Sequence, residues 1–173
     1  MKLFKKTFSL LAVAALCLGF FFSNSLTASA AEPTTWYVKY LNSVSEWRAQ
    51  EGTWSDTVSH VGLSYATDRL KDGDTLIIDG AQGIELNLNV HLKNLTVSQT
   101  NIAIVTAKGY DEVYILNDTV AAINGDIKDA YVYDNCKANF NNNIGTLRMM
   151  SDRNEFSNSD VNALGTVDYL YGK

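Results

Sequence analysis

The sequence predicts an all-β protein, a single-stranded parallel β-helix (β-solenoid) of about five coils, with an N-terminal strand and a capping α-helix. Three observations predict it. The pattern apolar-x-x-apolar-x-apolar occurs five times between Leu92 and Tyr169. Its starts are almost evenly spaced. Polar residues return at constant offsets between the repeats.

The chain opens with a segment that precedes any fold. Lys2, Lys5 and Lys6 form a basic stretch, Phe8 to Phe22 is apolar apart from Ser9 and Gly19, and Ala28-Ser29-Ala30 is an A-x-A cleavage site. These are the parts of a secretory signal peptide, expected to end at Ala30. A membrane anchor is the alternative, but the apolar run is short and small residues follow it. Without residues 1–30 the 173-residue chain retains 143. Three lysines and no acid leave with the signal, so 14 Lys/Arg against 19 Asp/Glu becomes 11 against 19, a net charge of −8. That balance disfavours nucleic acid and anionic lipid as partners and suits neutral glycans or divalent cations. Cys136 is the one cysteine left, so no intrachain disulfide can form and packing must hold the exported chain.

Residues 31–75 are expected to form the cap. They hold all three tryptophans, Trp36, Trp47 and Trp54, and the single proline, Pro33. "TTWYVKY" alternates and is aromatic and β-branched, which predicts a strand. "SDTVSHVGLSYATDRLKDGD" predicts a helix, with Val58, Val61, Tyr65 and Leu70 toward one face and Ser55 or Asp56 at the N-cap. Gly62 weakens it. "KDGD" is a turn and "TLIIDG" opens a buried strand.

Residues 76–173 are expected to form the solenoid. The aligned segments are "LKNLTV" (Leu92–Val97), "YDEVYI" (Tyr110–Ile115), "IKDAYV" (Ile127–Val132), "IGTLRM" (Ile144–Met149) and "LGTVDY" (Leu164–Tyr169), with starts 18, 17, 17 and 20 residues apart. The first four are each followed by a second short segment: "NIAIV", "TVAAI", "KANFN" and "NEFSN". A meander of hairpins would need tight turns, yet Asn124-Gly125 is the one such pair within the repeats. Parallel coils stacked one on another fit better.

Stacking also accounts for the polar positions. Thr106, Asn124, Asn141 and Asn158 lie nine residues beyond the ends of the first four segments. Thr100, Asp118, Asn135 and Asp152 lie three beyond. Equivalent positions in successive coils sit above one another, so these side chains can form hydrogen-bonded ladders at the corners. The Asp118, Asn135, Asp152 column could also hold calcium through its oxygens, although a corner ladder serves equally. No other cofactor or metal site is expected: His60 and His91 lie on unrelated elements, and one cysteine makes no zinc set.

"LKDGDTLIIDG" followed by such coils resembles the start of a pectate-lyase-like right-handed parallel β-helix, over roughly Thr57 to Tyr171. The resemblance implies a right-handed coil, an N-terminal helical cap, and extracellular carbohydrate chemistry or glycan binding. No position matches the family's catalytic residues, and fold alone does not set function.

One outward column carries the candidate chemistry. Counted from the repeat starts, Arg148 and Asp168 share it with Thr96, Tyr114 and Tyr131. Asp129 lies nearby. Arg148 beside Asp168 reads as a cross-strand ion pair, with acid–base catalysis as the alternative. Tyr114, Tyr131 and Tyr133 could present a row of rings to sugars, although tyrosine also suits any half-exposed strand. Cys136 reads as a buried thiol. The expected function is a secreted, non-catalytic binding or structural module for glycan or cell-surface material. The alternatives are a polysaccharide lyase or hydrolase of the β-helix type and a self-assembling surface module. For the last, the solenoid edge at the fifth coil is the expected site of self-association.

Overall fold

The computed structural model describes residues 32–151 and 159–172. The signal segment, Asp152 and Asn158 lie outside the described residues. From Pro33 onward the chain is one unit. Among the described residues it is mostly β with one short helix, its parallel strands stacked into a β-solenoid of about four turns.

The strands in chain order are β1 (Thr35–Leu41), β2 (Glu46–Glu51), β3 (Val61–Gly62), β4 (Thr75–Asp79), β5 (Ile84–Asn87) and β6 (His91–Ser98). Then follow β7 (Ala103–Leu116), β8 (Val120–Val132), β9 (Lys137–Phe140), β10 (Ile144–Met149), β11 (Asp160–Ala163) and β12 (Val167–Gly172). The helix α1 (Leu63–Thr67) follows β3. β7 and β8 each turn a corner, so their two halves serve two faces. On the first face β1, β4, β6, residues 109–116, residues 126–132, β10 and β12 run parallel, each bonded to the next. On the second face β5, residues 103–106, residues 120–123, β9 and β11 do the same.

The core follows from side-chain alternation, interrupted once per coil where the ladder skips Lys93, Asp111, Lys128 and Gly145. Leu92, Leu95 and Val97 are buried, as are Tyr110, Val113 and Ile115, then Ile127, Ala130 and Val132. Ile144 and Leu147 continue the columns, with Met149 partly buried. The second face adds Ile84, Leu86, Ala103, Val105, Ala121, Ile123, Ala138 and Phe140. Each inward residue lies beside its equivalent in the next coil, so apolar area is removed from water along continuous columns.

Two expectations change. β1 is itself a rung of the parallel face, and the cap is β2, which pairs antiparallel on the other edge of β1. The expected long helix is reduced to α1, whose N-cap Gly62 is extended and makes no side-chain cap bond. Val61 and Gly62 instead pair with Ala49 and Arg48 of β2. Val58 and Tyr65 are exposed, so the apolar spacing that suggested a helix does not mark a buried stripe. Ser55 and Asp56 serve the loop: Trp54 Nε1 donates to Asp56 Oδ1 at 2.8 Å, and Ser55 N to Gln50 Oε1 at 2.9 Å. Trp54 stacks on His60, ring centroids 4.0 Å apart, and packs on Tyr37 at 5.7 Å.

The fifth repeat is out of step. Ile144 pairs with Val167, not Leu164, so the last rung lies three residues later than the sequence pattern places it. The second-face strand of that coil is β11, beyond "NEFSN". Leu164, expected inside, is exposed.

Candidate functional site: the outward column of the first face

The outward column of the first face runs Tyr37, Ile77, Thr96, Tyr114, Tyr131, Arg148, Tyr171. The sequence places Asp168 here, and the structure does not. The three-residue shift brings Tyr171 beside Arg148 and leaves Asp168 exposed, offset from the column. The partner of Arg148 is Asp129, with Nη1 donating to Oδ1 at 2.7 Å and also to the Tyr131 hydroxyl at 3.3 Å.

The rings do not present a flat platform. Tyr114 and Tyr131 stack with centroids 4.6 Å apart and planes 5° from parallel. Parallel strands set equivalent Cα atoms one rung apart, close to the thickness of a ring stack. The Arg148 guanidinium lies 5.1 Å from the Tyr131 ring and 5.6 Å from the Tyr171 ring. Two tyrosines, an arginine and a tyrosine therefore lie in sequence along the coil axis as a π–π–cation–π series. The ring faces between Tyr114 and Arg148 are occupied by each other, the Tyr114 hydroxyl donates to Glu112 and the Tyr131 hydroxyl accepts from Arg148.

The electrostatics follow. Burial raises the Tyr114 phenol to about 12, helped by its hydrogen bond to Glu112 Oε2 at 3.0 Å and the Glu112 charge. The bond to Asp129 strengthens the hold of Arg148 on its proton. Tyr133 is half-buried at the end of the same strand stretch, its N–H donating to Ile115 O at 3.0 Å. The exposed rings on this face are Tyr169 and Tyr171, 63% and 56% accessible. The sequence pattern counts Tyr169 as inward. Its register partner is Thr146, next to Asp129 in the same row, so it faces out. Only the length of the preceding corner could have signalled this.

The amide positions divide. Asn124 Nδ2 donates to Thr106 Oγ1 at 2.8 Å, and Asn141 Nδ2 to Asn124 Oδ1 at 2.5 Å. This ladder faces outward at the ends of the second-face strands, whose inward neighbours are Val105, Ile123 and Phe140. Asp118 and Asn135 are exposed corner residues with positive φ, 59° and 62°. Thr100 is not above them. Val120 N donates to Thr100 O and Lys137 N to Thr119 O, so the buried corner column is Thr100, Thr119 and Cys136. Thr119 and Cys136 lie four residues beyond Ile115 and Val132, whereas Thr100 lies three beyond Val97, so a constant offset of three misses the column. Burial raises the Cys136 thiol, which points to Ile115 O at 3.5 Å. Among the described residues, no three His, Cys, Asp or Glu side chains group as metal ligands.

A parallel β-solenoid whose outer face carries an aromatic–arginine column is the class this chain defines. No family model, curated protein or solved structure matches it.

Proposed function

We propose that the chain is exported and acts outside the cell as a non-catalytic binding module whose ligand is glycan or cell-surface material. The observation that carries this reading is the pair of exposed rings, Tyr169 and Tyr171, beside Arg148 and Asp129. Exposed rings next to hydrogen-bonding charges suit a saccharide surface. The signal-like N-terminus supports export, and the likeness to pectate-lyase-like right-handed β-helices supports a carbohydrate ligand. Tyr114 and Tyr131 contribute hydroxyls and a rigid backing rather than a stacking face, with Tyr133 at the margin.

A glycan screen of the mature protein, with and without calcium, tests it, reporting binding and turnover together. Tyr171→Ala and Tyr169→Ala should lose most binding, and Tyr114→Ala less. Unchanged binding in both C-terminal variants would sink the assignment, and turnover would favour the polysaccharide-degrading alternative.

A specific observation favours a second role, self-association at the last coil. Leu164, Tyr169, Leu170 and Tyr171 are all more than half exposed. Leu170 is in register with buried Leu147, so its side chain lies on the open end of the core column. Such an end tends to pair. Light scattering across concentration should show dimers that Leu170→Asp removes, and a strict monomer would refute the pairing.

A further inference from the structure

The run Asn141–Asn142–Asn143 sits rung for rung on Asn124–Gly125–Asp126. Asn141 Nδ2 donates to Asn124 Oδ1 at 2.5 Å, Gly125 N to Asn142 Oδ1 at 2.9 Å, and Asn143 N to Asp126 Oδ1 at 3.2 Å. From the other side Asn124 Nδ2 donates to Thr106 Oγ1, and the Asn124 carbonyl accepts from the Tyr110 hydroxyl at 3.3 Å. Gly125 has φ 131°, and a Cβ there would lie 2.6 Å from Ala107 O. Glycine is required at this corner, and with Asn124 before it an Asn-Gly pair lies on the exterior of the solenoid.

Asn-Gly is the dipeptide most open to spontaneous deamidation, because no side chain shields the following nitrogen. We propose that Asn124 is a latent modification site of this kind, held closed by the asparagine corner of the next coil. The reaction needs only water. The Gly125 amide loses its proton to solvent and its nitrogen bonds to Asn124 Cγ. The Cγ–Nδ2 bond breaks and ammonia leaves. Water then opens the succinimide to aspartate or isoaspartate. Each reacting group is engaged in the fold: the nucleophilic N–H by Asn142, the leaving amide by Thr106, the carbonyl oxygen by Asn141. Opening of the coil that carries β9 and β10 releases two of these at once. Isoaspartate would then insert a methylene into the backbone and prevent Asn124 and Gly125 from regaining their register. The chain thereby carries an irreversible record of excursions in its C-terminal coils. This inference is independent of any ligand.

The test is peptide mapping of the mature protein aged at mildly alkaline pH, scoring aspartate and isoaspartate at position 124 against urea-denatured chain. The folded protein should react more slowly than the denatured chain. Asn142→Ala, which removes the acceptor for Gly125 N, should react roughly two- to ten-fold faster than the natural chain. Asn142→Asp, which keeps an acceptor oxygen, should return toward the natural rate. Equal rates in folded and denatured chain, or an unchanged rate in a folded Asn142→Ala, would overturn the proposal. If Asn142→Ala does not fold, the natural chain still decides. Its deamidation and the hydrogen exchange of the Gly125 amide should rise together across sub-denaturing urea, and independent responses would overturn it.

Discussion

Replacing Tyr110 by phenylalanine removes one oxygen from a sealed site. Tyr110 is 1% exposed, and its hydroxyl donates to Val105 O at 3.1 Å and Asn124 O at 3.3 Å. It ties the strand end on the second face to the corner that leads onto the first. Phenylalanine fills the same volume, so no cavity term enters; the loss is the hydrogen bonding. Leaving buried carbonyls without that donor costs about 1–3 kcal/mol. For a chain of this size that is a fall of roughly 3–12 °C in Tm. Urea unfolding followed by circular dichroism measures it. A second arm uses pH. Burial raises the Tyr110 phenol well above its usual range. The native state therefore keeps a proton that the unfolded chain releases above about pH 10. The corresponding stability is fully present below that pH and is lost as pH rises further. The phenylalanine variant should lose less over the same alkaline interval. Tyr114 titrates in both proteins and cancels from the comparison. A variant within ~0.5 kcal/mol of the natural chain, with the same alkaline slope, would refute the role given to the hydroxyl.

Three further outcomes are expected. Phe140→Ala, at a fully buried second-face position, should cost about 3–5 kcal/mol in urea unfolding. Gly125→Ala should destabilise more than Gly52→Ala; both have positive φ, but only the Gly125 Cβ would meet backbone, and thermal melting of the pair reads the difference. Cys136, fully buried and with its thiol raised by burial, should react with thiol reagents at the rate of unfolding, so its modification should speed up with urea rather than with reagent concentration.

The inward triads were legible because they rest on a local rule. Side chains alternate along a strand, so Ala130 and Val132 identify their own core face without reference to any other coil, and Ile127 joins them at the constant apolar-x-x-apolar spacing, where the ladder skips residue 128. The acidic composition, the signal-like N-terminus and the solenoid pattern likewise belong to the sequence alone. Corners are different. The column Thr100, Thr119, Cys136 differs from the one read by constant offset because its members lie three, four and four residues beyond their strand segments. The last rung is displaced by three residues, and this exchanges Asp168 for Tyr171 beside Arg148. Corner lengths are set by which backbone bonds close between coils, and no residue carries that information by itself.

Side-chain direction within the outward column is also tertiary. The sequence places Tyr114 and Tyr131 on adjacent rungs, but only the stacked coils turn the rings face to face and set Arg148 against them. The asparagines show the same division. Their number and position are written in the sequence. That Asn141 and Asn142 close over Asn124 and Gly125 was decided by the register of two coils, because a hydrogen bond between residues 17 apart exists only once the rungs are stacked.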